Sequence, residues 1–363
     1  MQKIIKLFVF WRISLFFLTY LGSIIFAKVA NGGIGAIGPG HNFDFWASWA
    51  QWDGGNYYYI AKYGYASPNL YAFFPLYPVL IKLTSYLFFG NVLLSGLIVA
   101  NLFALTFFII LFQLVKIKFN EKLAYLSIIT FLTFPTSYFL GAMYSESLFV
   151  LLVVLALLAL EKKRFFWAGA AASLAAITRV VGVFLVFAII WSYLQSIDFD
   201  FKKINYKILA IPLSITSIAA YCAYLYHNFK DPFYFFSVQQ TWHRSLTNPF
   251  ITIYSYLSQN LASKPFNDYL DVAVTVLFLI LLVWGVKKIP IGWWLFATLT
   301  IVIPASTSTL TSMPRYALSS VPTFIIMADL LKNNQLLQIL IWGSFLVIQV
   351  ALAIMFVNGY WTA

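Results

Sequence analysis

Charged residues are scarce in this chain, with 23 Lys or Arg and 11 Asp or Glu among 363 residues, and the few that could do chemistry recur in short motifs. Asp53 stands in Trp52-Asp53-Gly54-Gly55-Asn56-Tyr57, continuing to Ile60-Ala61 and Gly64-Tyr65, and Glu146 in Tyr144-Ser145-Glu146-Ser147-Leu148-Phe149. Arg179 lies in Thr178-Arg179-Val180-Val181-Gly182, Arg244 ends a stretch that begins at Gln239 and includes Trp242, and Arg315 sits in Met313-Pro314-Arg315-Tyr316. A carboxylate can take a proton from an attacking hydroxyl. Guanidiniums suit a lipid phosphate or pyrophosphate because they are always charged and bind phosphoryl oxygens in pairs. The aromatics Trp46, Trp49, Trp52, Tyr57, Tyr58, Tyr59, Tyr63, Tyr65, Phe73 and Phe74 read chiefly as an interfacial belt, with one or two also able to stack on a sugar ring.

Each group also has a plainer reading. Asp-Gly is ordinary turn chemistry, and Asp53 could cap a short helix over 56–62. Glu146 could be a first-turn acid favoured by the helix dipole, and any of the arginines could pair structurally with an acid. Asp44 reads as a cap ahead of Phe45-Trp46. His41, His227 and His243 have no metal-binding spacing, and Cys222 is the lone cysteine, so no transition-metal site and no intrachain disulfide are expected. No Gly-rich phosphate loop follows a strand, which excludes the usual nucleotide folds.

The elements that must position these residues are membrane helices. The chain is 62% apolar, 20% aromatic and 9% charged, with a mean hydropathy of +0.86, far from the composition of a soluble domain. Strand-length alternation is absent, so the expected fold is all-α and polytopic. Apolar runs fall at about 7–28, 92–115, 123–139, 144–160, 167–195, 208–227, 269–286, 291–304, 316–331 and 336–356. The 167–195 run has basic flanks at both ends, which predicts two short passes with Arg179 at the outer tip and about eleven helices in all. Residues 75–89 carry two prolines and a lysine and read as an interfacial helix. Most Lys and Arg fall in the short segments assigned to the cytoplasm, so the +12 charge reports topology and not nucleic acid. The N-terminus is then cytoplasmic, and the candidate acids face outward.

The first-loop string, with Ala72-Phe73-Phe74-Pro75-Leu76-Tyr77-Pro78 after it, resembles the PIG-V family, the second mannosyltransferases of GPI-anchor synthesis and their prokaryotic relatives. The Glu146, Arg179 and Arg315 motifs, and Asp231-Pro232 followed by Gln239, Trp242 and Arg244, fall in that family's order. The resemblance implies a single GT-C transmembrane domain over 1–363, with outer loops at 29–90 and 228–268. It also implies inverting transfer of mannose from a polyprenyl- or dolichyl-phosphate donor to a lipid-linked or glycan acceptor. Asp53 would be the general base and Glu146 an accessory carboxylate. Arg179, Arg315 and Arg244 would bind the donor phosphate, and Trp52, Tyr57, Tyr65, Gln239 and Trp242 the substrates. No cofactor is expected, and the site would face outward from the plasma membrane. The compact loops and the lack of an Asn-x-Ser/Thr sequon point to a prokaryotic relative. Rival readings are a GT-C enzyme for another lipid-linked sugar and a lipid or glycan flippase, for which Arg12 is the clear mid-helix charge.

Overall fold

A computed structural model describes residues 1–38, 42–240, 244–258 and 265–362. The described residues are all-helical apart from an isolated antiparallel bridge between Leu246 and Thr307. The helices are α1 (Gln2–Ile25), α2 (Asp53–Tyr63), α3 (Leu76–Ser85), α4 (Val92–Lys118), α5 (Glu121–Thr133), α6 (Glu146–Glu161), α7 (Phe165–Ala176), α8 (Leu185–Ser196) and α9 (Ala210–Leu213). They continue with α10 (Thr216–Phe229), α11 (Tyr234–Gln239), α12 (Pro249–Ser258), α13 (Phe266–Gly285), α14 (Ile291–Ala305), α15 (Met313–Ala317), α16 (Val321–Leu331) and α17 (Gln335–Val357).

Among the described residues α1, α4, α13 and α17 are each long and apolar enough to cross a bilayer alone, and Tyr206–Leu213 with Thr216–Phe229 forms a further candidate bent by 42°. The other apolar runs become shorter helices. The run 167–195 breaks at Arg179 into α7, a 3-10 turn (Val180–Phe184) and α8. Residues 75–89 form α3 and a 3-10 turn (Tyr86–Phe88), too short to span on their own.

α6 is buried along almost its whole length, its apolar residues packed on every side by α4, α7 and neighbouring helices. It also separates two kinds of chemistry. At its C-terminal end Glu161 pairs with Lys118, close to the Lys116–Glu121 pair at the α4–α5 junction. Its N-terminal end begins at Glu146, about 22 Å away at the helical rise. There the polar cluster described below gathers.

Arg12, on α1, is buried. Its Nε donates to Asn101 Oδ1 and its Nη2 to the Gly141 carbonyl, both at 2.7 Å, and its guanidinium lies over Phe16 and Trp49. It therefore ties α1 and α4 to the two segments that lead into Asp53 and Glu146. The aromatics of the first loop divide: Trp46, Tyr59 and Tyr63 stay exposed, as in a belt, whereas Trp49, Tyr57, Phe73 and Phe74 turn into the core.

Candidate functional site

Asp53 opens α2 directly after Trp52, whose φ of +56° and ψ of −120° is a strained conformation for a bulky side chain. Asp53 is thus not the cap of a helix over 56–62. It lies inside the first turn, and no side chain caps that helix. The glycine after it is a matter of space, since a Cβ on Gly54 would sit 3.2 Å from both the Met143 carbonyl oxygen and the Tyr144 ring. The Met143 N–H donates to the Trp49 carbonyl at 3.0 Å, and the Tyr144 hydroxyl to the Gln51 carbonyl at 3.0 Å. These bonds lace the Asp53 segment to the Glu146 segment. Asp44 does act as a cap, its Oδ1 accepting from the Trp46 and Ala47 amides.

The candidate charges then meet. Arg315 Nη1 donates to Asp53 Oδ2 at 2.5 Å, and Arg179 Nη1 to Glu146 Oε1 at 2.5 Å. Arg315 Nε lies 3.7 Å from the same Glu146 oxygen. The Asp53 side chain is 28% exposed, against 7% for Arg315 and 1% for Glu146, so Asp53 is the acid a ligand can reach. Among the described residues Glu146 Oε2 and Arg315 Nε have no hydrogen-bond partner.

Arg244 differs from the other two arginines. It donates from Nη1 to Thr307 Oγ1 at 3.2 Å and from Nη2 to the Thr311 carbonyl at 2.9 Å, both neutral acceptors. All three guanidiniums lie over the Tyr316 ring, 5.4 to 5.6 Å from its centre. Burial alone would raise the Tyr316 hydroxyl, but the three arginines pull it below its ordinary value. Burial alone would likewise lower Arg315, yet Asp53 and Glu146 hold it well above the usual guanidinium range. Tyr57 donates to Ser145 Oγ at 2.8 Å, and burial, with Glu146 nearby, pushes its hydroxyl up.

These groups line one cavity of about 690 Å³, together with Trp52, Asn56, Gln239 and a hydroxyl-bearing wall of Thr307, Thr309, Thr311 and Ser312. Val180, Val181, Phe236 and Ile303 give it an apolar flank. Asp53, Glu146, Arg179, Arg244, Arg315, Trp52, Tyr57 and Gln239 are therefore brought to one space. Tyr65 is not: its hydroxyl donates to the Phe73 carbonyl at 2.6 Å and its ring stacks on Tyr71, outside the lining. Trp242, His41 and His243 lie outside the described residues. The lining also takes in residues the sequence reading gave no role, among them Tyr316 and Trp361, the latter edge-on to Trp52 at 5.1 Å. Tyr316 follows Arg315 in its motif and could have been singled out there, whereas nothing local marks Trp361. Among the described residues no three His, Cys, Asp or Glu side chains gather as for a metal ion.

Residues 71–227 match the model of a family described as dolichyl-phosphate-mannose-protein mannosyltransferase. No curated protein matches the chain. Among solved structures, the chain is similar to the crystal structure of ArnT from Cupriavidus metallidurans bound to undecaprenyl phosphate. The identity is 14% and the TM-score 0.56, over 94% of this chain and 62% of that one. The chain thus spans less than two thirds of that protein's length. A structure of the Archaeoglobus fulgidus oligosaccharyltransferase in complex with zinc and sulfate is similar at 11% identity and a TM-score of 0.44, over 96% of this chain and 53% of that one. The all-helical fold of the described residues is similar to that of the ArnT structure.

Proposed function

We propose that the chain is a membrane glycosyltransferase that moves a sugar from a polyprenyl- or dolichyl-phosphate carrier to a hydroxyl of a lipid-linked or glycan acceptor, with inversion. Mannose is the sugar favoured by the first-loop resemblance and by the description of the matching family. One observation carries the reading: a reachable carboxylate, Asp53, shares a cavity with three arginines, of which Arg244 has neutral acceptors among the described residues. That arrangement suits a reaction in which an anion leaves on one side and a proton is taken on the other.

The acceptor oxygen forms its bond to the anomeric carbon as the bond from that carbon to the carrier phosphate breaks, and the phosphate departs with the bonding pair. Asp53 takes the hydroxyl proton. Arg244 anchors the phosphate, and Arg179 and Arg315 add fixed positive charge where negative charge grows. The arginines do in this reading what a divalent ion does elsewhere, so no cofactor is required. Arg315 holds Asp53, and a phosphate that shares the Arg315 donors frees the carboxylate to act as base. The flank of Val180, Val181, Phe236 and Ile303 gives the isoprenoid an apolar path sideways into the membrane. The undecaprenyl phosphate of the ArnT structure supports a carrier of that class. The cavity faces outward from the plasma membrane, with the N-terminus inside.

The test is transfer of radiolabelled mannose from polyprenyl-phosphate mannose to a membrane extract, wild type against Asp53→Asn. Losing the base is expected to cost about 10²- to 10⁴-fold in rate while the folded variant still binds the carrier phosphate. Full activity in the folded Asn variant would remove Asp53 from this role. A wild type that transfers another lipid-linked sugar and not mannose would remove the mannose assignment alone.

A further inference from the structure

Asp271 lies on α13, does not line the cavity, and is 4% exposed. Among the described residues no ion pair compensates it. A carboxylate held this way in an apolar bundle is expensive and calls for a specific use. Its Oδ1 accepts the Met313 N–H at 3.1 Å, the first amide of α15. The residue before it, Ser312, has a φ of +73°, a left-handed conformation that a side chain disfavours. From that turn the Ser312 carbonyl accepts both the Arg315 and the Tyr316 amides at 3.0 Å. The Met313 N–H is shared with the Leu310 carbonyl at 3.0 Å, within its own turn, so Asp271 is the acceptor that ties this amide to another helix. On the other side Thr136 Oγ1 donates to the Pro314 carbonyl at 2.7 Å.

We propose that Asp271 is a positioning residue for the cavity arginine: by accepting the Met313 N–H it pins the strained Ser312 turn and so sets Arg315 and Tyr316 against Asp53 and Glu146. It works through its acceptor oxygen and never touches substrate. Asparagine keeps an acceptor at that place, whereas valine removes it at similar volume.

The test compares full-length wild type, Asp271→Asn and Asp271→Val in detergent micelles, by amide hydrogen exchange over residues 310–318 and by sugar-transfer kinetics. In Asp271→Val, exchange over that segment is expected to rise about 10-fold or more, with the remaining helices unchanged, whereas Asp271→Asn stays near wild type. The kcat of Asp271→Val is expected to fall at least about 10-fold with the acceptor KM nearly constant, and Asp271→Asn to restore most of it. Glycine adopts a positive φ without strain, so Ser312→Gly added to Asp271→Val is expected to recover part of the lost rate, or the folded state if the single variant does not fold. Unchanged exchange in Asp271→Val, an equal loss in Asp271→Asn, or no recovery in the glycine double variant overturns the proposal. The kinetic arm rests on the glycosyl-transfer reading and the exchange arm does not. A wild type that transfers no sugar therefore refutes that reading, while exchange still decides the role of Asp271.

Discussion

Two acids and two arginines form a continuous chain, Asp53 to Arg315, Arg315 to Glu146, Glu146 to Arg179. Glu146 is the member whose loss leaves buried Arg179 without its acid and buried Arg315 with Asp53 alone. Breaking a buried pair by removing one partner costs about 3–5 kcal/mol, so Glu146→Ala is expected to lower the thermal midpoint well below that of Asp53→Asn, whose side chain is partly exposed. Thermal unfolding in detergent checks this, and equal midpoints would show that Glu146 does not hold the cluster. Arg244→Gln removes a cation that, among the described residues, is bound to hydroxyl and carbonyl groups. It is expected to weaken undecaprenyl-phosphate binding about 10-fold or more, the scale of a lost charge-assisted contact, with little change in stability. An unchanged dissociation constant by calorimetry would move the anion site elsewhere in the cavity. The acids and arginines were legible in the sequence because charge is rare in so apolar a chain. Trp361 was not, because one more aromatic near a chain end carries no local sign of facing Trp52.

At the scale of elements, the first turn of α2 and the segment 141–146 approach so closely that a Cβ on Gly54 would be crowded, 3.2 Å from the Met143 carbonyl oxygen and the Tyr144 ring. Gly55, one residue on, has its nearest neighbour at 3.6 Å, an ordinary contact. Gly54→Ala is therefore expected to shift Asp53 relative to Arg315 and reduce transfer by up to about 10-fold, since misplacing a reacting group slows the reaction. Gly55→Ala is expected to be neutral or slightly stabilising, since alanine favours the helix by about 1 kcal/mol. Rate and thermal midpoint measured on the two variants separate crowding from helix propensity. If both behave alike, the close approach is not what Gly54 provides. The sequence signalled a turn here and the structure has a helix start, because tertiary packing of α2 on Met143 and Tyr144 overrode the usual Asp-Gly preference.

At the scale of the whole molecule, the lysine-rich end of α4, α5 and α6 and the cavity stand at opposite ends of the bundle. The proposed orientation, lysines in the cytoplasm and cavity outside, follows the positive-inside tendency. In a Cys222→Ser background, Lys62→Cys at the end of α2 is expected to react with a membrane-impermeant maleimide in intact cells, and Lys202→Cys only after permeabilisation. Both side chains are exposed. The reverse pattern would invert the orientation. The all-helical class, the break at Arg179 and the short α3 could be read from apolar run lengths, prolines and flanking charges, since these are local quantities. The number of crossings could not, because several runs fold as short or bent helices whose passage depends on their neighbours. Nor could the partners. Arg315 and Asp53 are 262 residues apart, and Arg179 and Glu146 are 33 apart. Composition and periodicity fix which residue types must face lipid, water or each other. Which acid meets which arginine is decided only when distant helices pack, because that choice depends on non-local distances that no window of sequence contains.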